Sequence, residues 1–346
     1  MPKGLFVDQP EHVTLREYDD APLAANEVRF RSEFAAIKHG TLFHIFSGKS
    51  PFETGYFDGE SRLFKQKEAS SGPGGLVGQF LGDTTVGIVT EVGSAVEQFR
   101  VGDRVYAYAP IQETITRPVE RVKPLPAGLS PADAVCVDPA FFAYAMMRDS
   151  HARLGDDVVL FGLGAIGLFL VQMLKISGCL SVIVVDPMPK RRALAERFGA
   201  TLTLDPTAVD VAVAVREVLG RGADLAIESS GSYRALAEAM RAVGMCGKIA
   251  TLGYYKGNPA ALDLSAEWHH NRLELIGSMP VWGNPSREYP LWDEARLFCT
   301  VEALFAKGAI TSEGITDPIV SLGDVAEAFL SIYHHPDEAI KLSVAF

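Results

Sequence analysis

Reading the chain for the spacing of apolar and polar positions gives three regimes. From about residue 3 to 36, short alternating runs separated by turns predict strands: Gly4 to Val7, Val13 to Glu17, and Glu27 to Ser32. An apolar, β-branched run, Val158 to Phe161, ends in Gly162-Leu163-Gly164-Ala165-Ile166-Gly167 and passes into Leu168 to Lys175 without Pro or Gly. Strand, tight turn and helix is the reading, and a second strand, Leu180 to Val185, follows. In the third regime, Trp292 to Lys307 carries Leu297, Val301, Leu304 and Phe305 at helical spacing, and Asp324 to Tyr333 predicts another helix. No internal repeat appears beyond the strand-helix-strand units.

Gaps in the pattern matter as much. Residues 45–81 are rich in Gly, Ser and Pro, including the run from Ser70 to Gly75, with Phe52, Tyr56, Phe57, Arg62 and Phe64 among them. A loop of that length predicts a substrate-covering or subunit-contacting segment.

The G-x-G-x-x-G turn has a physical logic. Gly162 lets the chain turn, Gly164 lets backbone approach a pyrophosphate, and Gly167 lets helix and strand pack closely, while the free N–H groups of the helix face the phosphates. Gly162, Gly164, Ala165, Ile166 and Gly167 are therefore candidate cofactor contacts. Asp186 ends the second strand about twenty residues on, where this fold sets a carboxylate on the adenosine ribose. A carboxylate there repels a 2′-phosphate, which favours NAD over NADP. The run Lys190-Arg191-Arg192 argues the other way, with Arg191 as a candidate contact.

Composition narrows the class. With 346 residues and 48% hydrophobic content the chain is long enough for two domains with sizeable cores. The net charge of −11, from 43 acidic and 32 basic residues without a basic block, gives no nucleic-acid footprint. Apolar runs are too short and interrupted to span a bilayer, and Met1-Pro2-Lys3-Gly4 has no leader pattern, so a cytoplasmic protein without membrane partners is expected. The four cysteines, Cys136, Cys179, Cys246 and Cys299, are scattered in apolar surroundings and read as buried thiols. Adjacent His269 and His270 point apart on a strand or loop and read as structural.

The segment Val86-Gly87-Ile88-Val89-Thr90-Glu91-Val92-Gly93, followed by Val101-Gly102-Asp103-Arg104-Val105, resembles the medium-chain dehydrogenase/reductase superfamily. The likeness extends over nearly the whole chain, through Ala223 to Gly231, Gly247 to Gly253 and the ending Ala339 to Phe346. It implies an α/β protein: a GroES-like β-barrel catalytic domain (1–147), a Rossmann doubly wound parallel-sheet NAD-binding domain (148–287) and a return to the first domain (288–346). It also implies a homodimer or homotetramer. By the same resemblance Ser229, within Glu228 to Gly231, borders ribose and nicotinamide, Gly253 ends the next strand, and Lys341 contacts the pyrophosphate.

Zinc-dependent members hold a catalytic metal on a cysteine, the histidine of a G-H-E motif and a third cysteine or acidic residue. Aligned on Gly40-Thr41, this chain keeps the proton relay, with Thr41 as hydroxyl and His44 as histidine, but departs at the ligands. His39 stands for the cysteine, Asp83 and Thr84 replace the His-Glu pair, and Asp138 takes the acidic position. Two readings stand. In the preferred one no catalytic metal is bound, and Lys38 or His39 polarises the substrate oxygen while Thr41 and His44 move the proton. In the other, His39, Asp83 and Asp138 form a one-nitrogen, two-oxygen ligand set. The four-cysteine lobe of many relatives is replaced by a short connection from Tyr106 to Val122, so no structural zinc is expected.

The function expected is NAD-dependent interconversion of a secondary alcohol and a ketone on a small molecule, a sugar, cyclitol or polyol. The alternatives are a zinc-free enone or quinone reductase, and an NAD(H)-binding sensor or structural protein.

Overall fold

The computed structural model describes residues 1–48, 50, 52, 54–67, 75–253, 255, 258–281 and 283–346. Of the run from Ser70 to Gly75 picked out above within the 45–81 segment, residues 70–74 lie outside them. Two compact units are formed, Met1–Cys136 with Ser312–Phe346, and Val137–Thr311.

In chain order the first unit runs β1 (Lys3–Gln9), β2 (His12–Glu17), β3 (Glu27–Ala36), α1 (His39–Phe46), β4 (Gly55–Asp58), β5 (Leu63–Gln66), β6 (Gly82–Val92), β7 (Arg104–Pro110), β8 (Thr114–Pro118), β9 (Val122–Pro124) and α2 (Pro131–Ala134). The second unit follows with α3 (Val137–Ser150), β10 (Asp157–Phe161), α4 (Ala165–Ile176), β11 (Ser181–Val185), α5 (Pro189–Arg197), β12 (Leu202–Leu204), α6 (Val211–Leu219), β13 (Ala223–Glu228), α7 (Tyr233–Ala242), β14 (Val243–Thr251), β15 (Glu274–Gly277) and α8 (Glu294–Ala306). The chain then returns to the first unit with β16 (Ile319–Ser321), α9 (Val325–His334) and β17 (Ser343–Ala345).

The first unit is built on a mixed sheet ordered β16-β17-β3-β6-β7-β9, with β8 also pairing β3. β3 and β6 pair antiparallel from Val28 opposite Val92 to Ala36 opposite Thr84. One core gathers Leu5, Ala35, Ile37, Phe46, Leu81, Phe329 and Leu342, and another gathers Val28, Phe30, Val89, Val105 and Ile115. The strands predicted near the N-terminus are present as β1, β2 and β3. Part of the expected 45–81 loop is instead a hairpin, β4 with β5, in register from Gly55 opposite Gln66 to Asp58 opposite Leu63. Hydrophobic alternation there is hidden by the polar residues of the turn between them.

In the second unit the sheet order is β12-β11-β10-β13-β14-β15, with every pair parallel. Numbering its strands along the chain gives 3-2-1-4-5-6, the dinucleotide-fold order, whose switch point falls between β10 and β13. β10 is buried along its whole length, as the unbroken apolar run requires of a central parallel strand. The units divide at 136/137 and 311/312 rather than at the expected 147/148 and 287/288. α3 packs on α4, and α8 packs on α3, so burial of both helices keeps them with the parallel sheet.

Cys136 and Cys179 are buried, and burial pushes the Cys179 thiol up to about 11. Cys246 and Cys299 are exposed, against expectation. Cys246 lies within β14 with a left-handed backbone, φ +58°, and Cys299 is on the outer side of α8, whose buried positions are Leu297, Val301 and Phe305. No described helix is long and apolar enough to cross a membrane.

Candidate functional site

The glycine loop of the second unit, the candidate phosphate loop, forms as its glycines demand. Gly162 has φ +90°, which a side chain rarely adopts. A Cβ on Gly167 would lie 2.0 Å from the Gly162 carbonyl oxygen, so only glycine lets α4 approach β10 this closely. A Cβ on Gly164 would meet nothing within 4 Å. Open space is what a backbone position facing a phosphate needs. Gly164 is also the N-cap of α4, and the first turn, Ala165, Ile166 and Gly167, contains no acidic residue. Its N–H groups lack intrahelical acceptors, so the helix presents donors and the positive end of its dipole.

Asp186 follows β11 and is 4% exposed. Its Oδ2 accepts from Leu163 N at 2.8 Å and its Oδ1 from Met188 N at 2.9 Å. Arg191 Nη1 lies 4.0 Å from the same carboxylate, whereas Arg192 is drawn to Asp205 at 3.2 Å and to the Asp186 carbonyl. Lys190 is exposed.

Ser229 turns its hydroxyl back to the loop, donating to the carbonyls of Phe161 at 3.1 Å and Gly162 at 3.0 Å. It braces the phosphate loop, a role the resemblance did not assign to it. Gly253 is needed for close approach, since a Cβ would stand 2.2 Å from Gly231 N. Beside it, fully buried Glu228 accepts from Ser230 N at 2.7 Å, from Ser230 Oγ, from Gly231 N at 3.2 Å and from Tyr255 Oη at 2.5 Å. Burial, then the Glu228 charge, raises the Tyr255 phenol above its usual value, so it stays a donor. Tyr255 carried no motif in the sequence and was missed.

The first unit holds the other candidates. α1 begins at His39, with Lys38 as an N-cap that makes no side-chain capping bond. The helix places Thr41 and His44 one turn apart on one face, with Thr41 exposed and His44 half-buried. His39 shares its face with Phe43 instead: the rings stack at 5.0 Å and 10°, and Phe43 packs edge-on against Phe329 and Tyr333 of α9. Lys38 is half-buried just before the helix.

Three contacts clasp the segment at 37–39 to the C-terminal segment at 341–342. Ile37 N donates to Leu342 O at 3.0 Å, Lys341 Nζ donates to Ile37 O at 3.0 Å, and Leu342 N donates to His39 Nε2 at 3.1 Å. Lys341 Nζ also pairs with Asp83 Oδ2 at 3.1 Å, with the side chains 4% and 0% exposed. Lys341 is thus turned into the protein and engaged there.

These contacts bear on metal. Zinc in such sites takes three protein donors, sulfur and nitrogen preferred, with a further position open to water or substrate. Here His39 Nε2 receives an N–H, Asp83 Oδ2 holds an ammonium, and Asp138 lies in the first turn of α3 in the second unit. Among the described residues no group of three or more His, Cys, Asp or Glu is arranged to hold a metal ion. Within the first unit, His39 and Asp83 are thus already engaged by other partners. The connection from Tyr106 to Val122 carries β8 and completes at β9. His269 and His270 are exposed, with rings at 80° and 5.3 Å.

A family model described as zinc-binding dehydrogenase matches residues 165–295. D-guloside 3-dehydrogenase of Escherichia coli (strain K12) is 37% identical over 99% of this chain and 100% of its own length. Among solved structures, 2R,3R-butanediol dehydrogenase from Bacillus subtilis covers 100% of both chains at TM-score 0.79 and 20% identity. Galactitol-1-phosphate dehydrogenase from Escherichia coli covers 99% of this chain and 100% of its own at TM-score 0.77 and 20% identity. The chain belongs to the medium-chain dehydrogenase/reductase superfamily. Within it the protein is a dehydrogenase of the alcohol and polyol type, with the GroES-like and Rossmann architecture of that class.

Proposed function

We propose that the protein oxidises a secondary hydroxyl of a glycoside, the 3-hydroxyl of a guloside-like hexopyranoside, with NAD and without catalytic zinc. The observation that carries this reading is the 37% identity to D-guloside 3-dehydrogenase across the whole chain. Preference for NAD is supported by Asp186, a buried carboxylate where a 2′-phosphate would have to sit, with Arg191 as the counter-charge. The phosphate loop from Gly162 to Gly167 fits the pyrophosphate by its open face at Gly164 and its helix dipole. When bound, the dinucleotide supplies the hydride acceptor.

Alcohol oxidation also needs a group to steady the negative charge growing on oxygen and a route for the proton. His39 is the donor assigned to the oxygen, with Lys38 as its competitor for that role. Thr41 takes the hydroxyl proton and hands it to His44, which releases it to water. The carbinol carbon then becomes a ketone by loss of hydride, so proton and hydride leave separately and the balance closes. Freedom from zinc is supported by the Asp83–Lys341 pair and by the N–H on His39 Nε2. A cytoplasmic homodimer or homotetramer completes the reading; its support is the edge strand β15, where Leu275 is 47% exposed.

The test is NAD reduction with methyl guloside, other hexopyranosides and free polyols, with the product identified by NMR as a 3-keto glycoside. His39→Ala should cost at least about tenfold in turnover, and wild-type rates would remove His39 from the reaction. Reduction of an enone with no alcohol oxidised would favour the enone or quinone reductase. Tight NAD(H) binding without turnover would favour a sensor.

A further inference from the structure

The buried ion pair of the first unit is expensive for what it does to stability. Lys341 and Asp83 are 3% and 0% exposed, and removing two charges from water is rarely repaid in full by their mutual attraction. Only one carboxylate oxygen is matched, since Asp83 Oδ1 is buried with no hydrogen-bond partner. A pair kept for stability alone would be expected to satisfy both oxygens.

What the pair does hold is backbone. Lys341 Nζ bridges Asp83 on β6 and the Ile37 carbonyl at 3.1 and 3.0 Å, which fixes the position of the next residue, Leu342. The Leu342 N–H then donates to His39 Nε2 at 3.1 Å. A backbone N–H can only donate, so Nε2 must carry the lone pair and the ring proton must be on Nδ1. A ring protonated at both nitrogens would set one N–H against another at this contact.

We infer that Asp83 and Lys341 are positioning residues: the buried pair sets the Leu342 N–H against His39 Nε2 and so holds His39 as the neutral Nδ1–H tautomer, the form that donates to the substrate oxygen. This rests on the dehydrogenase reading above for its use, though the tautomer itself does not. The charge steadying the oxygen is therefore delivered as a fixed N–H dipole whose orientation is set before substrate arrives. Because the pair acts through His39, its loss should fall on kcat and leave the KM for NAD nearly unchanged.

The first measurement is a long-range ¹H–¹⁵N spectrum of the full chain labelled at histidine, with His39 assigned from the signals missing in His39→Gln. A protonated-type Nδ1 and an unprotonated-type Nε2 are expected. The reverse tautomer, a fast average of both, or a doubly protonated ring at neutral pH overturns the inference. The second is the double variant Asp83→Asn with Lys341→Met, which removes the pair without leaving a lone buried charge. It should give averaged His39 tautomers and a fall in kcat of at least about tenfold, with KM for NAD within about twofold. A double variant that keeps a single Nδ1–H tautomer and wild-type kcat overturns the positioning role. Should it fail to fold, the wild-type spectrum still decides. A single tautomer in a protein that oxidises no alcohol overturns the function proposed above and not the inference; mixed tautomers in an active dehydrogenase overturn the inference alone.

Discussion

Asp186 is tied to Leu163: the backbone N–H inside the glycine loop donates to the carboxylate at 2.8 Å. One side chain therefore does two things in the proposed reading, holding the loop assigned to the phosphates and standing where the adenosine ribose would bind.

Replacing Asp186 with Ser should then weaken NADH and relax the choice of cofactor together. Hydrogen bonds to a charged group are worth about 1.5–3 kcal/mol each, so the Kd for NADH should rise roughly tenfold or more. The preference for NADH over NADPH should shrink, with Arg191 left to meet a 2′-phosphate. Fluorescence titration with both dinucleotides checks it, and an unchanged ratio of the two affinities would take Asp186 out of cofactor selection.

Two glycines of the same loop separate folding from binding. Gly167→Ala drives a Cβ into the Gly162 carbonyl, a 2.0 Å contact with backbone that cannot swing away. Overpacking of this kind costs about 1–3 kcal/mol, so the thermal midpoint should fall by several degrees even without cofactor. Gly164→Val enters open space and should leave the midpoint of the apoprotein close to wild type. It should, however, remove most of the stabilisation that added NADH gives, because the side chain takes the room a phosphate needs. Equal losses in both apoproteins would contradict this division of roles.

The second unit was legible in the sequence because its signals are local. An apolar strand, glycines at fixed spacing and an acidic residue on the next strand are read within some thirty positions, and they reappear as β10, the loop, α4, β11 and Asp186. The helix predicted over Trp292 to Lys307 is α8, Glu294–Ala306, and the one over Asp324 to Tyr333 is α9, Val325–His334. The first unit hides more, since its contacts are long-range. Nothing near Lys341 announces that its ammonium reaches Asp83, 258 positions earlier, or that the Leu342 N–H lands on His39. α1 escaped notice because it has eight residues and no capping side chain. Cutting the chain at 147/148 split α3, although the apolar run through Met146 and Met147 continues the helix.

Asp149 gives a pH dependence with a definite sign. Burial, the largest cause, raises its carboxyl above the usual 3.8, against the Ser278 hydroxyl bond at 2.7 Å and Arg287 at 3.8 Å. The folded protein holds this proton more tightly than the unfolded chain. Its contribution to stability is therefore present below the ordinary value and is lost as pH rises through the raised one. Asp149→Asn cannot ionise and keeps a polar partner for Ser278. Relative to wild type its thermal midpoint should improve as pH rises from the ordinary carboxyl value of 3.8 toward neutrality. A difference that is constant across that range would mean Asp149 does not titrate within it.

Among the described residues, the buried Glu228 carboxylate is held by hydroxyl and backbone donors from the loops after β13 and β14. Tyr255 supplies a donor from the far loop, at 2.5 Å to Oε2, which also accepts from Gly231 N at 3.2 Å. Tyr255→Phe keeps the ring against Tyr233, whose centroid is 5.1 Å away, but leaves a buried carboxylate short of a donor. The cost of such a loss is about 1–3 kcal/mol and more for a charged group, which should lower the thermal midpoint measurably. Because Gly253 and Gly231 touch at this point, loosening it should also raise the KM for NAD while leaving the ratio of NAD to NADP use intact. Adding Glu228→Gln removes the charge that needed the phenol, so the double variant should recover part of the lost stability. If it is instead as unstable as the sum of the two single variants, the phenol and the carboxylate are not coupled, and the bond between them does not hold the loops together.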